Sequence, residues 1–139
     1  MRAILITAAS SYTRAELEGW ASSFTPDALL VAIESTTVFV ATQGAAVAGF
    51  ANLIDRADGR AELDLLYIDP DFVGRRVSSS LIAAVEDEAR RRECSALTVD
   101  ASLLADPVLQ HLGYRVVERY AKSRHGETYL NTLLIKNLD

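Results

Sequence analysis

The residues best suited to chemistry lie in residues 61–81, which have the sequence A-E-L-D-L-L-Y-I-D-P-D-F-V-G-R-R-V-S-S-S-L. The pattern predicts a strand from Ala61 to Ile68, an Asp-Pro-Asp turn, a Gly-Arg-Arg corner and the first turns of a helix. A helix that begins directly after such a corner presents unpaired backbone N–H groups and the positive end of its dipole at one point. That point suits a phosphate group.

Asp64 is the candidate for acid–base chemistry in this stretch. It stands between Leu63 and Leu65, where loss of water would raise the pKa of its carboxyl group and make it a base or an anchor for an amine. An ion-paired or water-exposed Asp64 is the equally open alternative, and Glu62, nearer the start of the strand, is expected to be solvated. The alternation of a strand predicts one face with Glu62, Asp64, Leu66 and Ile68 and another with Leu63, Leu65 and Tyr67.

The segments after this stretch predict the elements that position it. The helix that follows the corner has an apolar face and a charged face, and the charged run at residues 86–93 is expected in solvent. Residues 96–99 predict a second strand, which makes a strand–helix–strand unit with parallel strands and a right-handed crossover. The apolar face of the helix consists of Val77, Leu81, Ile82, Val85 and Ala89.

Local signals predict helices and hairpins in the rest of the chain. Residues 13–16 have capping-box spacing, and Thr25-Pro26 opens a second helix with proline at its first position. A short helix at residues 105–112 is closed by Gly113, a residue suited to a left-handed cap. Antiparallel pairs are predicted for residues 37–42 with 45–54, and for residues 114–122 with 127–138.

The run Leu-Tyr-Ile-Asp-Pro-Asp-Phe-Val-Gly-Arg-Arg-Val-Ser-Ser-Ser-Leu-Ile resembles the acyl-CoA signature of the GNAT-type N-acetyltransferase superfamily. In that family an L-Y-V-x-P-x-x-R-G-x-G-I-G-x-x-L-L pattern joins the fourth strand to the third helix. The resemblance continues through Asp100-Ala101-Ser102, through residues 112–117 and into the last strand. It implies a single α/β (α+β) domain over residues 1–139, with a mixed, mostly antiparallel sheet, a central splayed pair of parallel strands and flanking helices.

The resemblance implies an enzyme that transfers an acetyl group from acetyl-CoA, its co-substrate, to a primary amine of a small molecule or a peptide. The backbone of the central strand would bond the pantetheine arm as an added strand would, and one of its N–H groups would polarise the thioester carbonyl. The amine needs a base and the departing thiolate is usually given a proton; Asp64 and Tyr67 are the residues expected in these roles. The residues expected to contact the cofactor are Leu66, Tyr67, Ile68, Gly74, Arg75, Arg76, Val77, Ser78 and Ser79.

Three positions of the corner depart from the family pattern. Val73 replaces the usual Arg or Gln, Arg76 replaces the second glycine, and the third small position holds Ser78 rather than glycine. Glycine serves in this corner because the backbone approaches the phosphates closely. Two interpretations stay open: Arg75 and Arg76 bind the phosphates through bidentate contacts, or Arg76 blocks the pocket.

The general acid is a further departure. The family often places a tyrosine four residues before the glycine that matches Gly113, whereas this chain has Leu109. The candidates that could replace it as the acid are Tyr67, Tyr114 and Tyr120. The alternative for each is a core or edge aromatic residue with its hydroxyl at the surface, which is the more common case. The rival function is therefore a degenerate family member that binds acyl-CoA or another ligand without turnover, as a sensor or an interaction module.

The start of the chain also differs from the family, which usually begins with a strand and a full helix. The segment that resembles the end of the first helix begins almost at Met1, so the first strand is expected to be missing. The strand around residues 38–40 would then be a sheet edge, which proteins normally cover or pair. A homodimer, or another segment over that edge, is the expectation.

The composition restricts the partners. The 139 residues, half of them hydrophobic, carry a net charge of -5 and a pI of about 5.0, which disfavours nucleic acid because its binders usually show a basic surface. A cationic or neutral substrate fits this charge better. One cysteine cannot form a disulfide within the chain, and no stretch has the length of a membrane span or the pattern of a signal peptide. A cytoplasmic protein without a membrane or nucleic-acid partner is expected.

Overall fold

The computed structural model describes residues 2–139, which form five α-helices and six strands. The helices are α1 (Arg2–Leu5), α2 (Arg14–Ser22), α3 (Pro26–Ser35), α4 (Val77–Arg91) and α5 (Ala105–His111). The strands are β1 (Thr37–Gln43), β2 (Ala46–Asp55), β3 (Ala61–Ile68), β4 (Ala96–Ala101), β5 (Arg115–Arg124) and β6 (Glu127–Asn137). Short 3-10 helices precede α2 and α4, at Thr7–Ser10 and Pro70–Phe72. None of these five α-helices combines the length and the apolar character needed to cross a membrane.

Local signals fix the ends of several helices. The Thr13 hydroxyl accepts a hydrogen bond from the Glu16 N–H while the Glu16 carboxylate accepts one from the Thr13 N–H, which is the predicted capping box of α2. Thr25 caps α3 immediately before Pro26. Gly113 follows α5 with a φ of +94°, a left-handed backbone that glycine adopts without a steric penalty. These predicted helix ends are confirmed.

All six strands form one sheet in the order β1-β2-β3-β4-β6-β5. Every neighbouring pair is antiparallel except β3 and β4, which are parallel and are joined through α4. The predicted α/β fold with a mixed, mostly antiparallel sheet and a central parallel pair is therefore confirmed. Both predicted hairpins are present as well, β1 with β2 and β5 with β6.

Helices cover both faces of the sheet. α4 buries its predicted apolar face in the main core, with Leu81, Ile82, Val85 and Ala89 against strand residues such as Leu53, Leu63 and Leu97. The N-terminal helices form a second, smaller cluster around Ile4, Ala8 and Leu17, which Trp20 and Tyr67 join. Removal of these apolar side chains from water is the main driving force for the packing of both layers.

Glu86 departs from the expectation of a solvated charge run on α4. It is only 7% exposed, and its carboxylate accepts hydrogen bonds from the Tyr114 hydroxyl at 2.9 Å and from Lys136 Nζ at 3.0 Å. A buried carboxylate needs such partners, and here they come from distant parts of the chain. Tyr114 is thereby held in the core, where burial, followed by the Glu86 charge, raises the pKa of its hydroxyl.

β1 lies at one end of the sheet and pairs only with β2 in the part of the chain that the structure describes. The prediction that the strand around residues 38–40 forms a sheet edge is confirmed. The neighbouring helix α3 buries none of its side chains fully and leaves Leu30, Val31 and Ile33 more than half exposed. This end of the molecule therefore presents both an unpaired strand edge and apolar surface.

Candidate active site

A cleft opens where β3 and β4 separate. The two strands pair only at residues 61–63 with 97–99, so the backbone of β3 beyond Leu63 has no partner strand on that side. The cleft has a volume of about 570 Å³. Its walls come from β3 and β4, from the N-terminal helices, from α5 and from the tip of the β5–β6 hairpin.

A bulge in β3 shapes one wall of this cleft. The β2–β3 register skips one position, so that Asp64 and Leu65 both lie opposite Asn52. The Asn52 side chain is fully buried and accepts a hydrogen bond from the Leu65 N–H at 2.6 Å. Its amide group donates to Thr36 Oγ1 at 3.3 Å and to Asp64 Oδ2 at 3.5 Å. The bulge interrupts the hydrogen bonds between β2 and β3, and the Asn52 side chain supplies the acceptor for the Leu65 N–H.

The bulge reverses the alternation that was expected for β3. Leu66 and Ile68 pack against the α4-side core together with Leu63, whereas Tyr67 packs with the N-terminal helices on the opposite face. The predicted faces, with Leu66 and Ile68 opposite Leu63, are therefore wrong. The physical reason is the extra residue at Asp64–Leu65, which shifts every following side chain to the other face.

Asp64 is exposed at the cleft wall and is not desolvated between its leucine neighbours. Of the two predicted alternatives, the water-exposed carboxylate is the one observed. Within residues 2–139 it makes no ion pair, and its side chain receives only the long contact from Asn52. The expectation for Glu62 is wrong, because its side chain is only 17% exposed and is ion-paired with Arg56.

Aromatic side chains surround Tyr67 at the cleft. Trp20 Nε1 donates a hydrogen bond to the Tyr67 hydroxyl oxygen at 3.0 Å, and the Phe24 ring meets the Tyr67 ring edge-on at a centroid distance of 4.7 Å. Burial raises the pKa of Tyr67 to about 12, against the opposing effect of the Trp20 hydrogen bond. The hydroxyl is therefore neutral at pH 7, and it donates to no acceptor in residues 2–139.

Asp100 on β4 organises the polar end of the cleft. Its carboxylate accepts hydrogen bonds from the Tyr120 hydroxyl at 2.6 Å, from Lys122 Nζ at 2.9 Å and from Asn131 Nδ2 at 2.9 Å. Burial by itself would raise the pKa of Asp100, but the three donors together hold that pKa below its usual range. The Tyr120 hydroxyl is thus bound to Asp100. Leu109, at the position where a tyrosine was considered as the general acid, lies in the wall of the cleft.

The predicted corner is an array of free backbone donors at the start of α4. The N–H groups of Gly74, Arg76, Val77, Ser78 and Ser79 donate to no acceptor among residues 2–139. The same five residues line a second pocket of about 260 Å³, which adjoins the large cleft. Unpaired N–H groups at the start of a 15-residue helix attract an anion through hydrogen bonds and the helix dipole. The donor set fits a phosphate or a pyrophosphate.

Arg76 adopts the backbone of a glycine in this corner. Its φ of 61° and ψ of 19° are left-handed, as is the φ of +80° at Gly74. The Arg76 side chain is exposed at the wall of the second pocket and leaves that pocket open. Arg75 does not line either pocket; its guanidinium lies 5.5 Å from the centre of the Phe72 ring and donates to Gln43 at 3.4 Å.

Sequence reasoning missed several residues that shape the cleft. Trp20, Asn52 and Arg124 come from elements far from β3 in the chain, and no motif marks them. The doubled leucine at residues 65–66 interrupts the alternation and is the one local sign of the bulge. Ser102 also lines the cleft, and its hydroxyl accepts a hydrogen bond from the Ala105 N–H at the start of α5.

A family model described as an acetyltransferase (GNAT) domain matches residues 8–130 of this chain. The chain is also similar to YafP, an uncharacterized N-acetyltransferase of Escherichia coli (strain K12). The two are 27% identical over 131 residues, which cover 94% of this chain and 80% of the relative.

Two solved structures show the same architecture. A GCN5-related N-acetyltransferase from Rhodopseudomonas palustris matches with a TM-score of 0.90 and 32% identity, over 99% of this chain and 84% of that one. The PaiA N-acetyltransferase of Thermoplasma acidophilum, solved in complex with coenzyme A, matches with a TM-score of 0.77 and 15% identity, over 98% of this chain and 86% of that one. The family model and the fold agree, and the chain belongs to the GNAT family of acetyltransferases.

Proposed function

We propose that this protein is an N-acetyltransferase that transfers an acetyl group from acetyl-CoA to a primary amine of a small molecule or a peptide. The observation that carries the proposal is the array of five free N–H groups at the start of α4, which adjoins the cleft between β3 and β4. The two pockets share Ile68, Val73 and Ser78 in their walls. One extended ligand with a pyrophosphate at one end suits this pair of pockets.

The residues of the corner and of β3 would hold the acyl donor. The free N–H groups of residues 74 and 76–79 would bind the pyrophosphate, with the Arg76 guanidinium at the pocket wall as a further donor. The β3 backbone at Leu66, Tyr67 and Ile68 has no partner on the β4 side and would bond the pantetheine arm. Acetyl-CoA supplies the acetyl group as a thioester, and a β3 N–H would stabilise its carbonyl oxygen.

Asp64 and Tyr67 are the proposed acid–base pair. As the amine nitrogen bonds to the acyl carbon and the carbon–sulfur bond breaks, one proton leaves the nitrogen and one joins the sulfur. Asp64 is an exposed cleft carboxylate that can take the proton directly or through water. The neutral Tyr67 hydroxyl would give its proton to the departing sulfur while Trp20 holds its oxygen, and it would regain a proton from solvent.

A calorimetric titration with acetyl-CoA and with CoA is the first test. We expect micromolar dissociation constants for both, because the phosphate-bearing half is common to them. In an amine acetylation assay, Asp64→Asn should lower kcat about 100-fold, in the range of a lost general base, with acetyl-CoA binding unchanged. Asp27→Asn is the matched control, since Asp27 is exposed on α3 and does not line the cleft.

The outcomes of this test separate the two functions. No binding at millimolar acetyl-CoA would contradict the proposal at its first step. Binding without turnover on a broad library of amines would instead favour the degenerate, ligand-binding member of the family. Tyr67→Phe adds a second check, because loss of the donor should reduce kcat while the ring keeps its contacts with Phe24 and Trp20.

A homodimer through β1 is a further part of the proposal. Charged residues and proline usually protect an edge strand from pairing with another chain, and β1 contains neither. Beside it, Val31 and Ile33 on α3 are 62% and 60% exposed. Light scattering should give twice the chain mass of 15.1 kDa, and Val40→Lys on the edge should give the monomer. A wild-type monomer would contradict this assembly.

We also propose that residues 1–139 act as one domain in the cytoplasm. One sheet contains all six strands, and the single Cys94 has no second cysteine to pair with. Limited proteolysis should therefore yield no stable fragment much smaller than the chain.

A further inference from the structure

Two charged side chains of the large cleft have no ionic partner among residues 2–139. Asp64 on β3 is the anion, and Arg124 at the end of β5 is the cation; both line the cleft and both are exposed. The other lining carboxylates and the lysine are already paired, Glu62 with Arg56 and Asp100 with Lys122. The cleft therefore offers one free charge of each sign.

Both free charges act on one point, the Tyr67 hydroxyl. Burial and the Trp20 hydrogen bond are the main influences on the pKa of Tyr67, and after them Asp64 raises that pKa while Arg124 lowers it. Coulombic influence weakens with distance and is screened by salt. The carboxylate and the guanidinium line the same cleft as the hydroxyl that the proposed function places beside the reacting groups.

The cleft that carries the two charges is largely apolar. Trp20, Phe24 and Tyr67 contribute rings to the same cleft. The hairpin tip that carries Arg124 is held against the N-terminal helices, where Ser23 Oγ lies 2.7 Å from His125 Nε2. A ligand that engages both charges would lay an aliphatic or aromatic body against these rings.

We propose that the acceptor is an amine that carries a carboxylate, with its ammonium group directed at Asp64 and its carboxylate bound by Arg124. This inference rests on the proposed acetyl transfer and names its substrate class. A guanidinium binds a carboxylate through two parallel hydrogen bonds, which gives orientation as well as affinity. A simple amine would leave Arg124 unpaired, and a polyamine would bring a second positive charge towards it.

Matched pairs of acceptors test this inference. Phenylalanine is compared with phenethylamine, and γ-aminobutyrate with propylamine, so that the members of each pair differ only by the carboxylate. The wild-type kcat/KM should be at least about tenfold higher for a carboxylate-bearing member, as expected for a hydrogen-bonded charge pair. Arg124→Gln should remove this preference through KM, with the plain amines and kcat little changed, and Arg124→Lys should keep part of it. Arg115→Gln, at another exposed arginine of β5 outside the cleft, is the control.

Equilibrium binding gives a readout that does not depend on turnover. Calorimetry of the same acceptors with the CoA-loaded protein should show the carboxylate preference and its loss in Arg124→Gln. If both members of each pair are acetylated equally and Arg124→Gln changes neither, the inference is overturned while acetyl transfer stands. If nothing is acetylated but carboxylate-dependent binding through Arg124 persists, the carboxylate site stands and acetyl transfer is overturned. If neither is found, both fail.

Discussion

Arg76 holds a left-handed backbone, with a φ of 61°, at the position where the turn becomes α4. In an L-residue other than glycine this conformation costs about 1 to 2 kcal/mol, because Cβ crowds a backbone carbonyl oxygen. The same backbone leaves the Arg76 N–H free beside those of Val77 and Ser78. Strained residues tend to persist at functional sites, where the strain serves a binding geometry. We infer that the left-handed backbone of Arg76 keeps the N–H groups of this corner free.

Arg76→Gly should therefore stabilise the protein. Loss of Cβ relieves a strain that exceeds the entropic cost of a glycine in the unfolded chain, so the free energy of unfolding should rise by about 0.5 to 1 kcal/mol, a rise of about 2 to 3 °C in Tm. Arg75→Gly is the matched control, because Arg75 has a negative φ and should lose about 0.5 to 1 kcal/mol through the added freedom of the unfolded chain. Denaturant unfolding of both variants measures the difference. Equal changes in the two variants would contradict a strained Arg76.

The place of the corner could be predicted from the sequence, but the backbone conformation of Arg76 and the position of its side chain could not. The Gly-Arg-Arg turn and the helix that follows it have local signals, which is why their positions are correct. Whether an arginine at a glycine position blocks a pocket depends on its backbone dihedral angles, which the packing of the whole turn decides. The sequence therefore left two alternatives for Arg76, and only the structure shows its side chain beside an open pocket.

At the scale of the element, β3 was predicted correctly in extent and wrongly in the faces that its side chains take. Its bounds, Ala61–Ile68, are those expected, but its side chains change faces at the bulge opposite Asn52. The acceptor that holds the bulge belongs to β2 and is buried. A pattern within one strand cannot report such a contact between strands, so strict alternation placed Leu66 and Ile68 on the wrong face.

Asn52→Ala should destabilise the sheet at this bulge. The Leu65 N–H would lose its acceptor, and the free energy of unfolding should fall by about 2 kcal/mol, as expected for a buried donor left unsatisfied. Asn137→Ala is the control, because Asn137 is exposed at the end of β6 and its loss should change stability by less than about 0.5 kcal/mol. Denaturant titrations give both values.

Hydrogen exchange separates this local role from a general loss of stability. In Asn52→Ala, exchange at the Leu65 amide should accelerate by a larger factor than exchange at the core amides of β4 and β6, because only the bulge loses a direct partner. Uniform acceleration over the whole sheet would show that Asn52 acts as an ordinary core residue.

The helix α4 also shows that a pattern within one element does not report its contacts with other elements. Its apolar face was predicted correctly, because helical periodicity reports the side that faces the sheet. Glu86 was predicted wrongly because its partners, Tyr114 and Lys136, lie 28 and 50 residues away. Periodicity within α4 cannot show that Tyr114 and Lys136 lie beside Glu86 in the folded chain.

At the scale of the whole molecule, the pairing of neighbouring strands follows from turns and from the handedness of the crossover. These signals predicted two hairpins and one parallel pair, all of which are present. The insertion of β6 between β4 and β5, and the packing of the N-terminal helices on Tyr67, depend on long-range burial. No turn signal encodes them.

Tyrosine burial is a consequence of this long-range packing. The chain has five tyrosines, and burial is the largest cause of a raised pKa in each of them. The pKa values of Tyr67 and Tyr120 rise to about 12. The others whose pKa is raised are Tyr12, Tyr114 and Tyr129. The folded protein therefore holds its phenolic protons more tightly than the unfolded chain does.

The protein should lose stability as the pH rises above about 10, the ordinary pKa of tyrosine in an unfolded chain. Between that value and the folded value of about 12 for Tyr67 and Tyr120, the native state binds more protons than the unfolded state. The free energy of unfolding therefore falls with rising pH in this range, while the contribution of the tyrosines to stability is fully present below it.

Absorbance of tyrosinate should stay low in the native protein near pH 10 and then rise together with the loss of circular dichroism. In urea all five tyrosines should instead titrate near about pH 10. A tyrosine that ionises near its ordinary pKa while the protein stays folded would contradict the burial that joins the N-terminal helices to the sheet, and single Tyr→Phe variants would identify it.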